Sequence, residues 1–584
     1  MKIKKLPHWS LETIYPGIES EEFNNDLAAL APLAKEVEGL LQGDLVELLE
    51  KYQHLLETGI TLGAYTYANL SVDTGNEAYL RGFSRVEEAT LELQRIHILF
   101  IKTLAERQEE LTPLIGEGGE LHQFRFVIEE LIDQQRHTMS EAEEALAADL
   151  NRSGSDAFSR LQEAISSQAT NELNGERKTV IELRSLAFDR DRAVRAAAFE
   201  KELEVFEEHA TAFAYALNGV KGATISLGKR RGYSSPLEES LKQARISEEV
   251  LNLLIGTIEE NLPHFRRYLK AKAHALGIEK LAFYDLFAPL GEEGRSYSFE
   301  EGRSIIVDLF TKFHPPMGEF ADRAFEKNWI DSEPREGKVG GAYCTSFPLR
   351  KETRILANWD NSYNSVRTVA HELGHAYHDY ITSKLPYLLN QYPMTLAETA
   401  SIFSELLIFE GALQDSSDQE RILLIEEFLQ DSTQTCVDIL SRFYFEKEFF
   451  ERRKEGDLTP SQISAIMIDA QKRSYGDGLD SEALHPYMWA VKGHYYRSSL
   501  SFYNFPYAFG LLFGLGVYHL GKGEDNFAKR YDELLLYSGQ NSGEKVAASA
   551  SLDITKKEFW QGSMAIVKQY VDEFCHLVGY EEEN

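Results

Sequence analysis

The residues with the clearest chemistry are His371, Glu372 and His375, in the run His371-Glu372-Leu373-Gly374-His375. A helix turns about 100° per residue, so His371 and His375 share one face, about 6 Å apart along the axis. Two imidazoles placed in this way can converge on one metal ion. Glu372 is angled to the side, where its carboxylate can reach a water without occupying a coordination position. The chemistry this predicts is hydrolysis by activated water, with one zinc ion per chain on the histidines and Glu372 as general base.

The same spacing is that of the His-Glu-x-x-His metallopeptidases. The flanks support a packed helix rather than an exposed one, because Val366, Val369, Ala370 and Leu373 are apolar. Gly374 costs about 1 kcal/mol relative to alanine inside a helix, which makes sense if another element approaches closely there. A catalytic zinc needs a third protein ligand and an open position. Asp379 shares the face, but it lies about 12 Å from His371 along the axis, too far for both to reach one ion. The ligand must therefore come from a second element. The segment 394–413, MTLAETASIFSELLIFEGAL, reads as a helix with Thr395 as cap candidate and Glu398 in its first turn. Glu398 is taken as the third ligand, while Glu405 and Ser401 are read either as residues that support the ligands or as plain helix-surface residues. His378 is read either as such a supporting residue or as a helix-surface histidine.

The elements that must position these groups are mostly helices. Apolar residues recur three and four apart through segments such as 155–173 and 246–265, with Ser247 capping the second and Pro263 near its end. Three regions are read along the chain: helical residues 1–110, a second helical region at 111–190, and a larger catalytic region at 191–584 that opens with a long helix from about Asp191 toward Gly228. The exception to helix lies just before the motif. Residues 342–347 and 353–358 read as two short strands, with a turn around Pro348 to Lys351. Asp360-Asn361-Ser362 follows as a turn, and the motif helix runs from about Asn364 to Tyr380. The fold class is mainly α, with a small β-sheet beside the zinc helix.

Composition narrows the partners. The 584 residues carry a formal charge of −33, which repels phosphate backbones and anionic lipid, so nucleic acid and membranes are poor partners. Cys344, Cys436 and Cys575 are far apart and form no C-x-x-C pair, so neither a disulfide framework nor a thiolate metal site is expected. The N-terminal residues lack the apolar core of a secretory signal. Residues 505–520 are the least polar stretch, and they read as a buried helix rather than a membrane span. The expected location is the cytoplasm.

HELGHAYH, followed by AETAS with Glu398 in it, resembles the thimet-oligopeptidase-like zinc metallopeptidases, most closely their oligoendopeptidase F group. WSLETIYPG, DRAVRAAAFE, FYDLFAPL, GGAYCTSFP and GHYYRSSLSFYNFPYAFG extend the likeness over nearly the whole chain, in the family's order. The resemblance implies a two-lobed helical body with a deep central channel and zinc at its floor. It implies internal cleavage of short peptides, exclusion of folded proteins, and Glu398 as zinc ligand. It also implies roles for Tyr496 and Tyr503, which keep the family's seven-residue spacing. Phe502 departs from the pattern, since animal relatives carry a tyrosine there.

On this basis Tyr503 is the first choice for a donor to the oxyanion, with His494 or Tyr496 second. Pro506 suits the first turn of a helix, which leaves Tyr503 in the loop before it. Gly340, Gly341 and the two short strands either offer backbone groups to an extended peptide or form a plain hairpin with no ligand role. Two rivals stand beside an endopeptidase. An exopeptidase of related fold would need an anchor for a substrate terminus, for which Arg354 and Arg497 are candidates. A non-catalytic helical peptide-binding protein would need neither metal nor Glu372.

Overall fold

The computed structural model describes residues 5–291, 295–414, 416–521, 524 and 526–581. The chain divides into two compact units, each gathering three separate stretches. One comprises Met1–Arg136, Gly294–Gln414 and Leu520–Asp553, and the other His137–Glu293, Asp415–His519 and Ile554–Asn584. Helix dominates both, as the periodicity predicts.

The first unit opens with helices Glu21–Leu40, Leu45–Val72 and Glu77–Glu106. Each starts where the sequence supplies a cap: the Ser20, Asp44 and Asn76 side chains accept backbone N–H groups of the first turn. Phe23, Leu48, Leu62 and Phe100 build the core between them, together with Phe347 from the sheet. That sheet has three strands. Glu352–Leu356 is central, paired in parallel with Ile330–Asp331 and antiparallel with Tyr343–Phe347. Lys351 turns the chain between the last two in the left-handed region, at φ 51°. The strand Tyr343–Phe347 is an edge, while Glu352–Leu356 is paired on both sides.

The second unit is built on the helix Arg192–Arg230, which starts where the helical pattern predicts and is capped by the Asp191 side chain. Ser247 caps Glu248–Ala275. Pro263 falls inside that helix rather than near its end. Leu262, Phe265, Tyr268 and Leu269 are buried around it, and their packing offsets the hydrogen bond that proline removes. The helix read through 155–173 also stops early, at Gln168. Residues Thr170–Leu173 turn back at Asn174-Gly175 and pair antiparallel with Glu176–Thr179. Both turn residues have positive φ, 54° and 81°, the conformation that Asn-Gly favours in tight hairpins. Phe505–Gly521 is a buried helix with Pro506 at its second position. Among the described residues no helix is long and apolar enough to cross a membrane, and no disulfide joins the three cysteines.

Candidate metal centre

The motif helix spans Tyr363–Thr382. Asn361, at φ 68°, turns the chain into it, and the Ser362 side chain caps it at the Ser365 N–H. Its buried face is Val366, Val369, Ala370 and Leu373. The partner helix, Met394–Gln414, crosses it at Gly374. A Cβ at position 374 would lie 2.5 Å from the Ala400 carbonyl oxygen and 2.7 Å from the Ser401 Cα, so only glycine allows this approach. The crossing carries Glu398 to the two histidines. Thr395 is inside this helix and buried, not its cap, and Glu398 stands in the second turn rather than the first.

Glu398 Oε2 lies 3.5 Å from His371 Nε2 and 3.5 Å from His375 Nε2, and the two Nε2 atoms are 3.1 Å apart. The three donor atoms lie within 4.8 Å of one another. Each has further support. Glu405 Oε1 is 2.5 Å from His371 Nδ1, and Glu405 Oε2 is 3.4 Å from Arg367 Nη1. The Ser401 hydroxyl donates to Glu398 Oε2 at 2.8 Å. The Ala397 backbone hydrogen-bonds His375. These contacts orient both rings with Nε2 toward a common point, as histidine ligands are held around zinc. Two imidazole nitrogens and one carboxylate oxygen form a borderline donor set that suits zinc and leaves a coordination position open.

The charges of the cluster are arranged around that point. Burial opposes a charge on His371, but the Glu405 hydrogen bond and the surrounding carboxylates outweigh it and push the ring up to about 9. Burial and the neighbouring His371 charge push His375 down to about 4. Glu372 is buried, and that burial pushes its carboxyl up to about 7, against the pull of His371 and of a hydrogen bond from the Cys344 backbone. The edge strand thus touches the candidate base directly.

Other motif-helix residues face elsewhere. The Tyr392 hydroxyl donates to Asp379 Oδ1 at 2.7 Å, which agrees with its exclusion as a ligand. His378 is neither a surface residue nor a support for the ligands. It is fully buried, stacked on Tyr392 at 4.0 Å, with Nε2 2.7 Å from the Ser538 hydroxyl oxygen. Burial pushes it down to about 3, so it is a neutral core histidine. Arg354 is also taken: it is buried, and it donates to Ser10 O, Thr353 O, Thr13 Oγ1 and Glu352 Oε2, which removes it as an anchor for a substrate terminus. Arg497 is exposed.

The aromatic candidates belong to the second unit. Tyr503 is half-buried in the loop before Phe505–Gly521, its hydroxyl 2.6 Å from that of Tyr507 and its ring 5.4 Å from that of His494. The Asn504 amide donates to His494 Nε2 at 2.8 Å, and burial with the nearby Arg442 charge pushes His494 down to about 2. Tyr496 is fully buried against Phe213. Phe502 packs its ring against Phe443 and Phe450. Its φ is 51°, a conformation that costs a bulky residue about 1–3 kcal/mol.

The sequence pattern of Peptidase family M3 matches residues 185–566, well over half of the chain. This chain belongs to peptidase family M3. The pattern described as Oligopeptidase F matches residues 103–170 of this M3 peptidase. Oligopeptidase PepF of Bacillus subtilis (strain 168) is 27% identical, over 99% of this chain and 88% of its own. The plasmid oligoendopeptidase F of Lactococcus lactis subsp. cremoris is 26% identical, over 98% of this chain and 97% of its own. The solved structure of oligoendopeptidase-F from Enterococcus faecium shares the fold, with a TM-score of 0.70, 20% identity and coverage of 96% of this chain and 99% of that one. The mainly helical architecture is therefore that of family M3 metallopeptidases.

Two contacts in the M3 site had no counterpart in the sequence reading. Arg367 backs Glu405, and it stands four residues before His371, a spacing that places both on one helix face. The contact of the Cys344 backbone with Glu372 leaves no local signal, because every residue type but proline supplies a backbone N–H. The Gly374 crossing is testable by itself. Gly374→Val should lose about 1–3 kcal/mol of stability from overpacking, and metal binding with it, because the Glu398 helix must move away. Chemical denaturation with metal analysis checks this; wild-type stability and metal content would mean that the crossing is loose.

Proposed function

We propose that this M3 peptidase is a zinc-dependent endopeptidase acting on internal bonds of short peptides. His371, His375 and Glu398 hold the metal, and Glu372 is the general base. The observation that carries the proposal is the convergence of three ligand atoms within 4.8 Å beside a buried carboxylate. When bound, zinc supplies Lewis acidity that lowers the pKa of water from about 15.7 toward about 7. Glu372 takes a proton from the attacking water on its carboxylate oxygen, then hands it to the leaving amine nitrogen. Tyr503 donates its phenol O–H to the developing oxyanion, and His494 and Tyr496 are the second choices. Tyr503 is preferred because its side chain is half-exposed, whereas Tyr496 is fully buried.

Substrate binds as an added strand along Tyr343–Phe347, the edge of the three-stranded sheet. Main-chain pairing of this kind accepts many side chains, which suits broad peptide specificity. The strand at Glu352–Leu356 is the central one, and its Ile355–Leu356 end is paired on both sides, so Tyr343–Phe347 is the edge assigned this role. The relatives named oligoendopeptidase F support the endopeptidase reading. Digestion of a peptide blocked at both ends tests it: two internal fragments are expected, whereas an intact blocked peptide beside a trimmed free one would make the protein an exopeptidase. A cytoplasmic location belongs to the same proposal, and cell fractionation tests it.

Zinc binding should be linked to a proton. His371 is raised to about 9, so it carries its proton at neutral pH and zinc must displace it. Apparent zinc affinity should rise with pH and level off above about 9. Calorimetric titration in buffers of different ionisation enthalpy should find about one proton released per zinc near neutral pH. No release would mean that His371 is neutral before the metal arrives.

A further inference from the structure

The loop that carries Tyr503 is held by side chains from three separate helices. Lys221 and Thr224 come from Arg192–Arg230, Ser240 from Pro236–Ala244, and Glu446 from Ile439–Arg453. Lys221 Nζ and Glu446 Oε1 form an ion pair at 2.8 Å, with the two side chains 1% and 2% exposed. The other carboxylate oxygen, Glu446 Oε2, accepts the Phe502 N–H at 3.0 Å. Lys221 donates to the Leu500 carbonyl at 3.4 Å, Thr224 to that of Ser498 at 3.1 Å and Ser240 to that of Ser501 at 2.5 Å. Four backbone groups between Ser498 and Phe502 are thus tied down immediately before Tyr503.

Such a set of anchors is more than core stability asks for. A buried ion pair is weak evidence for stability, because an apolar pair of similar volume often serves as well. Phe502 is meanwhile held in the left-handed region, which a bulky residue enters only where its surroundings over-determine it. The Glu446 hydrogen bond to the Phe502 N–H is one such constraint, and the Phe443 and Phe450 rings around its side chain are the other. Left-handed backbone at residue 502 sets the direction in which residue 503 leaves the loop.

We propose that Lys221 and Glu446 are positioning residues, which fix the left-handed turn at Phe502 and through it the orientation of the Tyr503 hydroxyl. The proposal rests on Tyr503 acting in the reaction. Its test therefore separates the loop from the catalysis.

The pair K221M/E446L removes both charges and the acceptor for the Phe502 N–H. The pair K221M/E446Q removes the charges but keeps an acceptor oxygen. Neither leaves a lone buried charge, so folding is preserved, and thermal denaturation verifies it. Expected for K221M/E446L is a fall in kcat of about tenfold or more with KM within about twofold. K221M/E446Q should recover kcat to within about threefold of wild type. In a Tyr503→Phe background K221M/E446L should change kcat by less than about twofold, since the group being positioned is gone. Trypsin cleavage after the exposed Arg497, mapped by mass spectrometry, reads the loop independently. It should accelerate about fivefold or more in K221M/E446L.

Unchanged cleavage together with unchanged kcat overturns the anchoring. Multiplicative effects in the Tyr503→Phe background overturn the route through Tyr503. Faster cleavage, with kcat unaffected by K221M/E446L and by Tyr503→Phe alike, supports the anchoring and overturns the role of Tyr503.

Discussion

Replacing Glu372 by glutamine is expected to lower kcat by about 10²–10⁴-fold while zinc stays bound. The two side chains have nearly the same volume, so the buried site keeps its packing. Glutamine cannot take a proton from water, and that is the step assigned to this residue. Both ligand histidines keep their supports, His371 on Glu405 and His375 on the Ala397 backbone, so metal content should not change. Because the loss falls on a group used only in the transition state, kcat and kcat/KM should fall together. Steady-state kinetics on a quenched-fluorescence peptide, with metal analysis of the same sample, checks both halves. Turnover within about tenfold of wild type would remove Glu372 as the base.

Tyr503→Phe is expected to lower kcat by about 10²–10³-fold, with KM changed by only a few-fold. The ring that stands 5.4 Å from His494 is kept and only the hydroxyl is lost. That hydroxyl lies 2.6 Å from the Tyr507 hydroxyl oxygen. Tyr507→Phe is therefore the control. It removes the neighbour of the proposed donor, and it should cost much less than Tyr503→Phe. If KM moved and kcat did not, Tyr503 would be a substrate-binding residue.

Much of the metal centre is legible in the sequence because its constraints are local. Two histidines four apart cannot find a third ligand on their own helix, so a second helix must supply it. Gly374 marks where that helix approaches, and the 2.5 Å distance from its missing Cβ to the Ala400 carbonyl oxygen explains the glycine. Spacing puts Glu398 and Glu405 two turns apart on one face but leaves Glu405 as either a support or a surface residue, and the 2.5 Å contact with His371 Nδ1 selects the first. Helix starts at Asp191 and Ser247 are readable because their caps are short-range hydrogen bonds.

What sequence conceals is set by distant packing. His378 has the polarity of a surface residue, and nothing near it in the chain announces Tyr392 and Ser538. Arg354 offers a free charge to a reader of sequence, yet it spends its donors on Ser10, Thr13 and its own strand. The Lys221–Glu446 pair joins residues 225 positions apart, and each taken singly reads as an ordinary helix-surface charge. Pro263 and the hairpin after Gln168 differ in kind. Tertiary burial overrides proline in the first, while the second carried a readable Asn-Gly signal that the helical pattern before it obscured.

Metal content of purified wild-type, Glu372→Gln and Glu398→Ala proteins tests the zinc centre most directly. Inductively coupled plasma mass spectrometry after dialysis should find about one zinc per chain in the first two and less than about a tenth of that in the third. Wild-type activity should disappear with a chelator and return with added zinc. A Glu398→Ala protein that holds zinc as wild type does, or a zinc-free wild type that still hydrolyses peptides, would contradict the account.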